Sequence, residues 1–232
     1  MAAKNSRKTY ADHGYYHIYN RGVEKRHIFL DPQDYGVFLS YLKEYLSPKD
    51  EKALFARLSK PNVSPQEKDK ILKLLRLNNF YNEIFLLAYC LMPNHFHLLI
   101  KQSSALSIDK FMNSLALRYV IYFNRKYNRT GGLFQDVYKA VSVTTDEQLL
   151  YLSRYIHQNP LDRNKLPKKG SLDDSLSQPS SYPEYLDQRK TNWITTDEIV
   201  SYFSKTNPKS SYRSFVEQTE DISLIQKLLI DN

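Results

Sequence analysis

His95 and His97 stand two residues apart in LMPNHFHLLI, a stretch that is otherwise apolar on both sides. On a strand, residues two apart face the same side, so both imidazoles project together and Phe96 points the other way. Two imidazoles on a rigid strand offer two ligands to a divalent cation. A pair of half-buried strand histidines is the competing explanation. The setting weighs against it, because an apolar strand has no use for buried polar rings unless something pairs with them. A second group lies in YLSRYIHQNP. There Tyr151, Tyr155 and Asn159 recur at four-residue intervals along one side of a helix, beside the apolar stripe Leu149, Leu152 and Ile156. A tyrosine hydroxyl is a nucleophile once activated; the alternative role for each tyrosine is an aromatic at the core edge. His157 points about 160° away from Asn159 on that helix, which predicts a surface position or a contact with a bound partner rather than ligation.

The elements that position these residues follow from pattern. YYHIYN (residues 15–20) is rich in β-favouring types and closes at Arg21-Gly22, which predicts a strand. Asp31-Pro32 is an N-cap followed by a first-turn proline, and Tyr35, Phe38, Leu39, Leu42 and Tyr45 follow helical spacing. Residues 47–79 are charged, carry three prolines and form an insertion whose second half, PQEKDKILKLLRLNN, predicts a short amphipathic helix. IFLLAYCLMPNHFHLLIKQ divides at Met92-Pro93-Asn94 into two strand-length runs, a hairpin of buried strands. A long helix spans about 107–128, a strand is centred on Tyr138-Lys139-Ala140, and a further helix starts after Thr144-Thr145 with a capping box from Glu147 and Gln148. Pro160 stops it. The order β-α-β-β-α-β plus a helix predicts an α+β, ferredoxin-like antiparallel sheet with helices on one face. Residues 165–181 read as a Lys-, Ser- and Pro-rich linker to a small helical C-terminal extension.

Composition sets wider bounds. The sequence has 232 residues, 41% hydrophobic, which fits one packed domain with an appendage. A formal charge of +8 favours polyanionic partners. Basic residues placed to hold a nucleic-acid strand are Arg118, Arg125, Lys126, Arg129 and Lys139, around the loop between the long helix and the Tyr138 strand, with the KLPKK cluster at 165–169 as a further phosphate contact. Each has a competing role as a solvated basic helix end. Nineteen tyrosines suit base stacking, although strands and helix borders account for most of them. The single cysteine, Cys90, excludes an intrachain disulfide and a multi-cysteine metal site, and its apolar setting predicts a buried core residue. No apolar stretch has spanning length and the start lacks a secretory signal, so the expectation is a cytoplasmic protein with no membrane partner.

Taken together, MPNHFHLLI, GGLFQDVYK and YIHQNP resemble the single-tyrosine HUH transposases of small insertion sequences, most of all the stand-alone REP-associated tyrosine transposases. HIYNRGVEKRHIF resembles that family's first strand and turn. The likeness covers roughly Tyr15 to Pro160 and continues faintly into SSYPEYL, WITTDEIVSYF and YRSFV. The HUH pair alone also occurs in relaxases and replication initiators; the helix ending in Tyr-x-x-x-Asn-Pro narrows the choice.

The resemblance implies His95 and His97 as metal ligands, Tyr155 as nucleophile and Asn159 as a polar third ligand. Tyr151 is the rival nucleophile. It implies Mg²⁺ or Mn²⁺ as cofactor, with Zn²⁺ not excluded by ligand type, and single-stranded DNA with hairpin or inverted-repeat ends as substrate. It further implies a 5′-phosphotyrosine intermediate that conserves bond energy for rejoining, in a monomer or homodimer. The catalytic domain is expected at 1–164 and the extension at 165–232. A hairpin-DNA-binding protein that has lost cutting activity and a relaxase-like nuclease are the alternatives. An RNA-binding domain of the same topology ranks last, because its aromatic strand signature is missing.

Overall fold

The structure, a computed structural model, describes residues 8–161, 178–218 and 223–228. Four strands form one antiparallel sheet: β1 (Tyr15–Arg21), β2 (Ile84–Met92), β3 (His95–Gln102) and β4 (Lys139–Val143), in the order β2-β3-β1-β4. With helices α1 (Pro32–Leu46) and α4 (Ser107–Lys126) in the two crossovers, this is the ferredoxin-like arrangement that the alternation of patterns predicts. The insertion after α1 holds two helices rather than one, α2 (Glu51–Leu58) and α3 (Pro65–Arg76). A fifth helix, α5 (Asp146–Gln158), follows β4. Among the described residues, no helix is long and apolar enough to cross a membrane.

Strand periodicity assigns the two faces of the sheet. Ile18, Phe96, Leu98 and Ile100 point to the side covered by α1 and α4, where they meet Phe38, Leu42, Phe111, Leu115 and Tyr119. Leu87, Ala88, Cys90 and Leu99 point to the other side, where α5 lays Leu149, Leu152 and Ile156 across them. Each such side chain removed from water contributes roughly 1.5–3 kcal/mol, so the apolar stripe of α5 fixes its placement over the sheet. Cys90 is wholly buried there, as its setting predicts.

Local chemistry starts each helix where the sequence predicts. The Asp31 side chain accepts from the Asp34 amide at the head of α1, and Pro32 occupies the first turn. The Thr145 hydroxyl accepts from Gln148 N at the head of α5, while the Gln148 side chain reaches back to Thr144 N (2.9 Å), one residue beyond the usual capping box. The hairpin turn Pro93-Asn94 is tied to the loop after β1: Ile28 N and Phe29 N donate to Pro93 O, and Gly22 N donates to Asn94 O. Gly22 is required by space, since a Cβ there would lie 2.3 Å from Arg26 O.

One buried carboxylate joins α1 to the end of α4. Asp34 is fully buried and accepts from Leu30 N, Tyr122 Oη, Tyr127 Oη and Lys126 Nζ at 2.8–2.9 Å. Removing it takes the acceptor from all four donors, of which Lys126 and Tyr127 keep a bond to Asp31. Asp34→Ala is therefore expected to destabilise the fold by about 2–3 kcal/mol, read as a lower urea midpoint at unchanged slope.

The C-terminal extension packs as part of the same body. Residues 179–181 extend the sheet at the β2 edge, with Leu91 N donating to Pro179 O and Ser181 N to Tyr89 O, so the end of the expected linker is ordered against β2. The rest of that linker, including the KLPKK cluster, lies outside the described residues. The short helices α6 (Tyr182–Tyr185), α7 (Asp197–Val200) and α8 (Tyr212–Glu217) bury Tyr182, Tyr185, Ile199, Tyr212 and Val216 in the α5 layer.

Candidate active site

The alternation of β3 delivers His95 and His97 to the α5 side of the sheet and Phe96 to the opposite core. Their rings meet edge to face with centroids 4.9 Å apart. His97 is fully buried, and its ring lies 5.5 Å from the Tyr155 ring at an interplanar angle of 88°. Tyr155 is thus the helix tyrosine that reaches the histidine pair. Tyr151, one turn earlier, packs its ring against Phe215 of α8 at 5.6 Å, with the Arg154 guanidinium 5.0 Å from its centroid. Asn159 caps α5, and its side-chain nitrogen donates to Tyr155 O (2.9 Å), which ties it to the tyrosine and leaves the amide oxygen as the atom with lone pairs for a cation.

A residue that sequence reasoning passed over completes the group. His17 lies on β1 within YYHIYN, and its ring stacks on His97 with centroids 5.1 Å apart. His17 Nε2 is 2.9 Å from His97 Nδ1, and His17 Nδ1 is 2.6 Å from the carbonyl oxygen of Leu228 in the 3₁₀ turn Ser223–Leu228. A carbonyl only accepts, so His17 Nδ1 carries a proton. Burial pushes the His17 pKa down to about 4, against the opposing pull of the Leu228 carbonyl, and the ring is neutral at pH 7. Its Nε2 is then bare and accepts from His97 Nδ1–H. Burial, reinforced by His17, His95 and Arg21, holds His97 well below the ordinary imidazole range. His97 is therefore neutral too, and its Nε2 presents a lone pair. That atom is buried and has no hydrogen-bond partner among the described residues.

A buried lone pair without a donor is costly unless something takes it. A divalent cation does so, and neutral imidazole nitrogen is a suitable ligand. His95 Nδ1 donates to Asn94 Oδ1 (2.6 Å), so this ring too carries a proton on Nδ1. No group of three or more His, Cys, Asp or Glu side chains among the described residues is arranged to hold a metal; the paired imidazoles of His95 and His97 on β3 are the nitrogen donors available to one.

The sequence-predicted basic residues separate. Lys139 sits beside the site, its Nζ 5.8 Å from the Tyr19 ring centroid, and lines a cleft of about 430 Å³ with Tyr19, Arg21 and Asp136. Tyr19 in turn lies 6.1 Å from the His97 ring. Arg118, Arg125 and Lys126 belong to α4, which covers the opposite face of the sheet from the histidines. Arg118 pairs with Glu44 (2.6 Å) and stacks on Tyr41, and Lys126 pairs with Asp31 and Asp34. Arg129 Nη1 donates to Asn124 Oδ1 (3.2 Å), within the turn that follows α4. His157 corrects the surface position expected for it: it is fully buried, with Nδ1 2.6 Å from Tyr212 Oη and Nε2 2.7 Å from Ser181 Oγ. The second layer that covers that side of α5 comes from residues far along the chain.

Residues 58–159 match the family model described as "Transposase IS200 like". The match makes this segment similar to the IS200-like transposases. The matched stretch contains the histidine pair, α4, β4 and α5. A search of curated proteins finds no match. Among solved structures, one described as a REP-associated tyrosine transposase bound to a REP hairpin aligns over 94% of this chain and 99% of its own, at 10% identity and a TM-score of 0.46. An inferred transposase from Deinococcus radiodurans R1 aligns over 66% of this chain and 96% of its own, at 15% identity and a TM-score of 0.28. Scores below 0.5 establish no shared fold.

Proposed function

We propose that this transposase-family protein cleaves and rejoins single-stranded DNA through a 5′-phosphotyrosine on Tyr155, assisted by Mg²⁺ or Mn²⁺ held by His95, His97 and Asn159. The observation that carries the reading is the buried lone pair of His97 Nε2 beside the Tyr155 ring. When bound, the metal would polarise the scissile phosphate and stabilise the leaving 3′ oxygen. The chain's own groups do the rest. Tyr155 Oη gives up its proton as it attacks phosphorus; the bond from phosphorus to the 3′ oxygen breaks as the tyrosyl P–O bond forms, and the leaving 3′ oxygen takes up one proton to become a hydroxyl, so the step is proton-neutral overall. The phosphodiester energy is kept in the tyrosyl ester, so a new 3′-hydroxyl reverses the step without ATP. Placement on α5, anchored by its apolar stripe, holds the tyrosine at the site before substrate arrives. Lys139 and Arg21, at the mouth of the adjoining cleft, suit the phosphates of the bound strand.

The test is cleavage of a labelled single-stranded hairpin oligonucleotide by the full chain, with and without EDTA. Cleavage restored by Mn²⁺ or Mg²⁺ and lost in His97→Gln is expected. DNA binding with no cleavage at any metal concentration would point instead to a DNA-binding protein without strand-transfer activity.

A further inference from the structure

We propose that His17 is the positioning residue of this site: anchored by the Leu228 carbonyl, it fixes the ring orientation and tautomer of His97 so that Nε2 faces the metal. The inference rests on the metal-site reading above and adds a residue and a segment to it. Three observations carry it. The Leu228 carbonyl, the two ring nitrogens of His17 and the Nδ1 of His97 form one chain of short contacts, 2.6 and 2.9 Å, in which every proton position follows from the acceptor-only carbonyl at its end. Both rings are fully buried, so water does not compete for these nitrogens. The end of the chain is the one buried ring nitrogen that lacks a hydrogen-bond partner among the described residues.

The arrangement has a physical purpose. A neutral imidazole left to itself exchanges between two tautomers, and only one of them presents Nε2 as a ligand. A hydrogen bond from Nδ1–H to a fixed acceptor selects that tautomer and raises the ring's basicity, and loss of such a partner weakens metal binding by about 10–100-fold. Here the acceptor is another histidine, and what fixes the acceptor is backbone from the C-terminal turn. The sheet makes the pairing available: β1 and β3 are antiparallel neighbours with Tyr19 opposite His97, which places His17 diagonally across from it on the same face. The turn that carries Leu228 is thereby tied to the metal site, although it lies 131 positions after His97 in the sequence.

The experiment has two readouts apart from activity. Long-range ¹H–¹⁵N NMR of the metal-free, ¹⁵N-histidine-labelled protein at neutral pH, with the His97 signals assigned through His97→Gln, should find the proton of His97 on Nδ1. Mn²⁺ titration by calorimetry should give a dissociation constant 10–100-fold weaker for His17→Phe than for the unaltered chain. In His17→Gln, whose side chain retains a donor and an acceptor, much of that loss should be recovered. A His97 proton on Nε2, or Mn²⁺ binding by His17→Phe as tight as by the unaltered chain, overturns the positioning role and leaves the metal site standing. If the unaltered chain binds no Mn²⁺ in a His97-dependent manner, the metal-site reading itself falls and takes the role with it. Should His17→Phe fail to fold by circular dichroism, the NMR spectrum of the unaltered protein decides.

Discussion

Tyr155→Phe is expected to abolish the covalent protein–DNA adduct and to lower strand cleavage by on the order of 10³-fold or more. The substitution removes a single oxygen. The ring remains, and with it the edge-to-face contact with His97 at 5.5 Å, so stability should stay within about 0.5 kcal/mol of the starting protein. Binding of single-stranded DNA should persist, because phosphate contacts do not pass through this hydroxyl. Tyr151→Phe serves as the control. Its ring is engaged with Phe215 and Arg154 on the side of α5 that faces the C-terminal helices, so cleavage should continue close to the original rate. Quantitation of adduct on a denaturing gel separates the two variants.

The metal-free protein is expected to lose stability steeply as the pH falls from about 6.5 toward 4. Burial lowers the pKa of His17 to about 4 and that of His157 to about 3, while the unfolded chain carries histidines near 6.5. Below 6.5 the unfolded state therefore binds protons that the folded state does not, and the difference favours unfolding. Above 6.5 both states are neutral and the contribution is complete. Each of the two residues adds a slope of about 1.4 kcal/mol per pH unit within this window. His97 contributes in the same direction. Together, His17 and His157 remove about 4 kcal/mol between pH 6 and 4.5, a large part of the stability of an ordinary domain. Urea denaturation across this range measures the slope. His157→Gln keeps polar atoms for Tyr212 and Ser181 but does not titrate, so its slope should be shallower by one proton's worth. An unchanged slope in that variant would contradict the assignment of His157 as buried and neutral.

The contrast between His97 and His157 shows what the sequence can and cannot reveal. The alternation around His95-Phe96-His97 predicts the shared face correctly, because a strand's side-chain direction is a local property. The four-residue spacing of Tyr155 and Asn159 is local in the same sense, and the order of strand and helix patterns gives the sheet. Which side of a helix is solvent is not local. His157 becomes core only because Ser181 and Tyr212, 24 and 55 residues later, close over it. His17 was overlooked for a related reason: its partner is set by the register of β1 against β3 and by a carbonyl 211 residues away. A signal was nonetheless present, since His17 is a polar residue set between Tyr16 and Ile18 in the strand.

Charge misleads in a comparable way. Lys126 and Arg118 look like free cations until Asp31, Asp34 and Glu44 are brought beside them by the packing of α1 on α4. Of the five basic residues singled out, Lys139 is the one placed at the cleft next to the histidines. Helix α2 is not signalled because EKALFARL spans eight residues, too short a window for the single pair Leu54 and Leu58 to establish a helical period.

Tyr155 is the nucleophile proposed for a site built with His95 and His97. Trypsin tests it directly, because cleavage after Arg154 separates the two rival tyrosines: residues 140–154 contain Tyr151 and residues 155–163 contain Tyr155. The full chain would be incubated with Mn²⁺ and a hairpin oligonucleotide, denatured, digested with nuclease and trypsin, and analysed by mass spectrometry. A nucleotide-phosphate mass on the 155–163 peptide is the predicted result. The same mass on the 140–154 peptide, or adduct on neither while cleavage proceeds, would contradict it.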